Sequence, residues 1–201
     1  MAVDLTSTYC GQLLQDAWVA RSLGYKKNGF FVDIGAHDGR EFSNSYFFER
    51  YLNWSGIAIE ANPEIFDKLV AGRECKCVKA LVGEYDGIRL PFEVSQEHSM
   101  LSGVNHSCKD PIYMQSRSLM SLLEEHSAPK QIDYISLDTE GNEPDILQSF
   151  DCKKYDVTCW TIEHNGNAER ASFIAQWLSH NGYLFRIVEW DFFAIKDRAN
   201  P

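Results

Sequence analysis

Residues 30–39 read FFVDIGAHDG, an apolar run that meets an acid and then a turn with glycines at 35 and 39. A short unbroken apolar run of this kind fits a strand covered on both faces. Phe30 to Ile34 is therefore expected as a first strand, followed by a helix from Ser43 to Leu52 capped by Ser43 or Asn44. The same unit recurs outward along the chain. Ile57 to Glu60 gives a second strand, with a helix opening at Pro63, a favoured first-turn position. Cys77 to Val82 gives a third strand, and Ile88 to Val94 alternates loosely enough to add a hairpin. Ser118 to His126 is expected as a helix and Ile132 to Asp138 as the fourth core strand, with another helix starting at Pro144. Asp156 to Glu163 forms a fifth strand. Ala168 to His180 carries Ala171, Ile174, Trp177 and Leu178 at helical spacing. Tyr183 to Val188 and Phe192 to Ile195 read as an antiparallel pair. Upstream, residues 11–23 place Leu13, Leu14, Ala17, Trp18 and Arg21 on a helical period.

Strands alternating with helices imply an α/β fold, a mostly parallel sheet with helices on both faces. Ligands of such sheets bind beyond the carboxyl ends of the strands. That rule selects Gly35 to Gly39, Glu60, Asp138 to Glu143, and Glu163 with His164, since all lie at expected strand ends.

At 201 residues the chain is expected to form one domain, 1–201, with a helical segment over 1–28 and an acceptor-facing loop over 95–111. The formal net charge of −10 argues against a nucleic-acid partner, which needs clustered Lys and Arg. The only basic doublets, Lys26-Lys27 and Lys153-Lys154, look like solvated turns. No apolar run approaches the ~20 residues of a membrane span, and the first residues lack a secretory pattern. A cytoplasmic protein with no membrane partner is the expectation. Cys10, Cys75, Cys77, Cys108, Cys152 and Cys159 have neither zinc nor disulfide spacing, so free thiols are expected.

The turn is G-x-x-x-G, with His37 where a close pyrophosphate would require glycine, and it carries Asp33 and Asp38. These acids suit a cationic ammonium or sulfonium better than a dinucleotide. S-adenosylmethionine has both groups, and its ribose diol can meet an acid. Glu60 ends the second strand 21 residues after Gly39, where such an acid is expected. A plain strand-to-helix loop would explain the turn alone, but not the turn together with Glu60.

The segments GFFVDIGAHDG, FSNSYFFE, NWSGIAIEANP, IDYISLDTEGNEPDIL and TIEHN, preceded by Gln12…Asp16, resemble the FkbM-type methyltransferases from about Gly11 to Phe193. The resemblance implies a class I methyltransferase (Rossmann-like) fold, S-adenosyl-L-methionine as cofactor and a hydroxyl acceptor, often on a sugar. It maps Asp33, Gly35, Ala36, His37, Asp38, Gly39, Ser43, Asn44, Glu60 and Ala61 onto the cofactor site, and Ala80 and Leu81 beside the adenine. His37 stands where asparagine is more usual.

Among the remaining acids, Asp138 ends the central strand. It could meet the cofactor's ammonium or take the acceptor's proton, and Glu140 could do either. Glu143 and Asp145 fit a helix start equally well. Glu163 and His164 are candidates for a general base from the fifth strand. His98 and His106 fall in the polar segment 95–111 and read as exposed loop residues. Asp138, Glu140, Glu163 and His164 could together ligate a divalent metal, though acids facing a cationic cofactor explain them without one. The acceptor is expected to be a small molecule or glycan. One alternative is RNA ribose methylation, with Asp138 and Glu163 joined by Lys26 or Lys153. The other is a non-catalytic module presenting Tyr113, Trp190, Phe192 and Phe193 to a partner.

Overall fold

The computed structural model describes residues 8–95 and 102–199. Its helices are α1 (Gln15–Ser22), α2 (Tyr46–Leu52), α3 (Pro63–Gly72), α4 (Leu119–Glu125), α5 (Glu143–Ser149) and α6 (Ala168–His180). The strands are β1 (Phe30–Ile34), β2 (Ser55–Glu60), β3 (Lys76–Lys79), β4 (Leu81–Gly83), β5 (Arg89–Glu93), β6 (Gly103–Val104), β7 (Ile112–Ser118), β8 (Gln131–Leu137), β9 (Asp156–Glu163), β10 (Tyr183–Val188) and β11 (Asp191–Lys196).

Seven strands form the main sheet in the order β10-β11-β9-β8-β1-β2-β3. β3, β2, β1, β8 and β9 run parallel, while β11 lies antiparallel to both β9 and β10. The chain winds outward from β1 through β2 to β3 and then returns to β8 on the other side of β1. The strand order therefore reverses between β1 and β8, where an open sheet leaves a crevice. This is the expected class I methyltransferase architecture.

The central strands are apolar on both faces because helices cover both. Val32, Ile34, Ile135, Leu137, Trp160 and Ile162 pack into one cluster with α4, α5 and α6. Phe31, Tyr134 and Cys159 pack into another with Val19, Phe47, Phe48 and Trp54. Phe48 stacks on Trp54 at 4.5 Å, and the indole N–H of Trp54 donates to the Lys26 carbonyl at 2.7 Å. Burial of the ring and use of its polar edge are thus both satisfied.

Helix starts follow local chemistry. Asn62 caps α3 by accepting from the Glu64 N–H, and Asn167 caps α6 by accepting from the Arg170 N–H. α2 begins at Tyr46 rather than Ser43. The Ser43 hydroxyl instead accepts from the N–H groups of Ser45 and Tyr46, which holds the approach to the helix.

The expected third strand divides. β3 joins the main sheet, whereas β4 belongs to a second sheet ordered β4-β7-β5-β6. β7 is not marked in the sequence, because IYMQSRS is half polar and half exposed. The segment expected as a loop contributes β6, which pairs antiparallel with β5. All six cysteines are free. Among the described residues, no helix is long and apolar enough to cross a membrane.

Candidate active site

The carboxyl ends of β1, β2, β8 and β9 open into a cleft of about 1250 Å³, its open mouth included. At its floor the turn after β1 touches the turn after β8. The Asp138 N–H donates to the Ile34 carbonyl at 3.0 Å. A Cβ on Gly35 would sit 1.6 Å from the Asp138 carbonyl oxygen, and Gly35 has φ +84°. Only glycine satisfies both the backbone angle and this approach.

The cleft wall built by β1, β2 and their following turns is closely bonded. Glu60 receives the His37 N–H at 2.8 Å on one oxygen and the Asn62 N–H at 2.6 Å on the other. Asp33 receives the Ser45 hydroxyl at 2.5 Å. Burial raises the pKa of both acids, opposed by the Asn62 and His37 amides at Glu60 and by Arg73 and Ser45 at Asp33. Asn44 donates to the Ser136 hydroxyl at 3.0 Å, while its own carbonyl oxygen is buried with no hydrogen-bond partner.

The other wall is made of acids that are much less satisfied. Oxygens of Asp138, Glu140 and Glu163 lie within 4.8 Å of one another. Burial first, then mutual repulsion, pushes Glu163 up to about 10. Asp138 rises to about 7, again chiefly through burial, and a hydrogen bond with Glu163 moderates the rise. The pair therefore shares a proton at neutral pH, carried by Glu163 and offered to Asp138. Glu140 also rises to about 7, by burial and then the charge of Asp138. Its Oε2 accepts from the Asn165 side chain at 2.9 Å. His37, Glu140 and Asn165 all have left-handed backbones, with φ of 49°, 59° and 50°. Each such residue costs on the order of 1–3 kcal/mol, and such strain clusters at functional sites.

Glu143 holds this second wall in place. Its Oε1 accepts from the Thr139 N–H, the Thr139 hydroxyl and the Gly141 N–H, and its Oε2 lies 3.4 Å from Arg170 of α6. It organises the loop that bears Asp138 and Glu140, which is more than a helix start requires. Asp145 does not line the cleft.

Of the residues singled out in the sequence, Asp33, Gly35, Ala36, His37, Ser43, Asn44, Glu60, Ala61, Ala80, Leu81, Asp138, Glu140 and Glu163 line this cleft together. Asp38, Gly39 and His164 do not. Asp38 instead accepts from the N–H groups of Arg40 and Glu41 and so closes the turn. His164 is displaced by strand alternation: Glu163 faces the cleft, so its neighbour turns away. The His164 ring packs edge-on against Phe192 at 5.6 Å, and neither ring nitrogen has a hydrogen-bond partner. His164 therefore drops out of any metal set built from the cleft acids. His106 is exposed, and His98 lies outside the described residues.

Asp191, Gln15 and Trp190 also line the cleft. Asp191 opens β11 directly opposite Glu163, and burial pushes it up to about 6. Gln15 reaches it from α1 at 3.4 Å. Trp190 sits at the rim with 59% exposure, whereas Phe192 and Phe193 belong to the core rather than to a partner surface. Lys26 pairs with Asp133 near the amino end of β8, and Lys153 lies in the turn before β9. Both are at the far end of the sheet, so the basic half of an RNA ribose-methylating arrangement is not assembled.

Residues 33–185 match the family model of the methyltransferase FkbM domain. The chain belongs to the FkbM methyltransferase family. No curated protein sequence matches it significantly. Among solved structures, this FkbM chain is similar to the precorrin-6y C5,15-methyltransferase of Geobacter metallireducens GS-15. That match has a TM-score of 0.52 and 12% identity over 90% of this chain and 87% of the other. It is also similar to the N-terminal domain of human METTL16, with a TM-score of 0.52 and 14% identity over 92% of this chain and 68% of that one. At such identities the likeness is one of fold. Family and fold together make the FkbM chain a methyltransferase and imply S-adenosylmethionine as its methyl donor. The cleft fits that donor: acids line it, no Lys or Arg does among the described residues, and Asn44 Oδ1 and Glu163 Oε2 are buried without hydrogen-bond partners.

Proposed function

We propose that the protein transfers a methyl group from S-adenosylmethionine to a hydroxyl of a sugar or another small polar acceptor. The observation that carries this reading is Glu140: a cleft carboxyl held by Asn165 and tuned to about 7. A general base works best with a pKa near the working pH, and a hydroxyl nucleophile benefits most from one. The bound sulfonium supplies an activated methyl and its own leaving group.

Asp33, Gly35, Ala36, His37, Ser43, Asn44, Glu60, Ala61, Ala80 and Leu81 would hold the cofactor, with Glu60 toward the ribose and Ala80 and Leu81 beside the adenine. Asp138 lies between this group and the second wall, where its charge favours a cationic centre. Glu140 would take the acceptor's proton, while protonated Glu163 holds Asp138 in place. The work left to the protein is alignment of hydroxyl oxygen, methyl carbon and sulfur. No step in this scheme uses a metal. The acid lining disfavours nucleic acid as acceptor, because phosphates would meet carboxylates. We place the activity in the cytoplasm, where the six free thiols would persist.

The test is incubation with methyl-labelled S-adenosylmethionine and a panel of sugars, nucleosides and a short RNA, followed by release of S-adenosylhomocysteine. The label should appear as an O-methyl signal on a sugar by NMR. A label on carbon or nitrogen, or turnover with RNA alone, would overturn the assignment.

A further inference from the structure

Arg73 lies outside the cleft lining, and no role in the scheme above uses it. It follows the last residue of α3, and its side chain is fully buried, an unusual fate for a guanidinium. The group sits between the rings of Phe31 at 5.4 Å and Tyr46 at 5.8 Å. Its Nε donates to Glu49 Oε2 at 3.0 Å. Nη1 donates to the Gly39 carbonyl at 3.2 Å and reaches the Ser43 hydroxyl at 3.5 Å. Nη2 donates to the Ser45 hydroxyl at 3.0 Å, and that hydroxyl donates in turn to Asp33 Oδ2 at 2.5 Å. One buried cation therefore holds both ends of the turn after β1 and, through a single serine, the carboxylate at the cleft floor. Gly39 is part of the same fit, since a Cβ there would lie 2.7 Å from Arg73 Cγ.

We propose that Arg73 is a positioning residue of the cofactor half. It fixes the 39–45 turn and, through Ser45, keeps Asp33 an oriented anion facing the cleft. The proposal rests on the reading of this half as the cofactor site. A guanidinium suits the task because its rigid fork serves several acceptors at once, which the single ammonium of lysine cannot. The charges facing Asp33 otherwise work against ionisation. Glu60 comes from β2, Asp138 follows β8, and Tyr134 presents a phenol from β8 itself. Ser136 adds a hydroxyl from the same strand, and Arg73 is the cation that offsets the acids.

The experiment compares wild type with Arg73→Met, Arg73→Lys and Ser45→Ala. The first readout needs no cofactor: carbon-13 NMR titration of the Asp33 carboxyl, assigned with Asp33→Asn. The midpoint should move up by about one pH unit or more in Arg73→Met and by less in Ser45→Ala, with Arg73→Lys close to wild type because it keeps the charge. The second readout is calorimetric affinity for S-adenosylmethionine between pH 6 and 9. Arg73→Met should lose about tenfold or more at pH 6 and recover part of that toward pH 9. Arg73→Lys should show a smaller loss that does not change with pH, reporting the turn alone. If Arg73→Met does not fold, Ser45→Ala carries the test by itself. An Asp33 midpoint unchanged in Arg73→Met, or in Ser45→Ala when that variant stands alone, overturns the proposal. Wild type that binds no S-adenosylmethionine would instead overturn the cofactor reading, while the titration still decides what Arg73 does.

Discussion

The two walls of the cleft are both acidic, yet they treat their acids in opposite ways. On the β1–β2 side, Glu60 is held by two backbone amides, and Asp33 is tied through Ser45 to a buried arginine. On the β8–β9 side, Asp138, Glu140, Glu163 and Asp191 crowd one another, and burial shifts all four upward. The first wall is fixed before any ligand arrives. The second holds carboxyls whose protonation can change near neutral pH. Acidity alone thus says little about role, because the partners of each acid decide whether it acts as a fixed anchor or a proton carrier.

The comparison breaks most decisively at Asp138, which belongs to both walls. Asp138→Asn is expected to reduce turnover by about 10²–10⁴-fold. The fold should be kept, as checked by circular dichroism alongside S-adenosylhomocysteine release. Turnover within threefold of wild type would move the reaction centre elsewhere.

A smaller effect separates the walls by stability. Glu163 holds its proton in the folded state to about 10, against an ordinary value of 4.5. The folded protein therefore binds more protons than the unfolded chain between those values, and stability falls as pH rises through the window. Glu163→Gln removes that slope. The variant should match wild type near pH 5 and exceed its Tm by an amount that grows with pH, about 3 °C or more by pH 8. Parallel Tm curves from pH 5 to 9 would contradict the shared proton.

The smallest effect is expected one residue further on. His164→Phe should leave the pH–rate profile in place and change kcat/KM by less than about threefold, since its ring packs on Phe192 away from the cleft. Loss of the alkaline or acid limb of that profile would return His164 to the site.

Much of this was legible in the sequence, because strand ends are. Asp33, Glu60, Asp138 and Glu163 each close an apolar run, and the winding of the sheet brings such positions to one rim. Asp191 follows a less direct version of the same rule. β11 is antiparallel, so its first residue, not its last, arrives at that rim beside Glu163. The expected antiparallel pair already contained that signal. Period-two alternation likewise allowed only one of Glu163 and His164 to face the cleft. Other features left no local mark. Gln15 reaches Asp191 across 176 residues, the strained backbones of Glu140 and Asn165 depend on tertiary contacts, and β7 is too polar to declare itself.

The all-acid lining also bears on what happens after transfer. The sulfur is positively charged before the methyl leaves and neutral afterwards, whereas the carboxylates around it belong to the protein and stay. The walls that hold the donor by charge therefore hold its spent form less tightly. Reaction itself weakens the grip, and exchange of used cofactor for fresh needs no separate moving part.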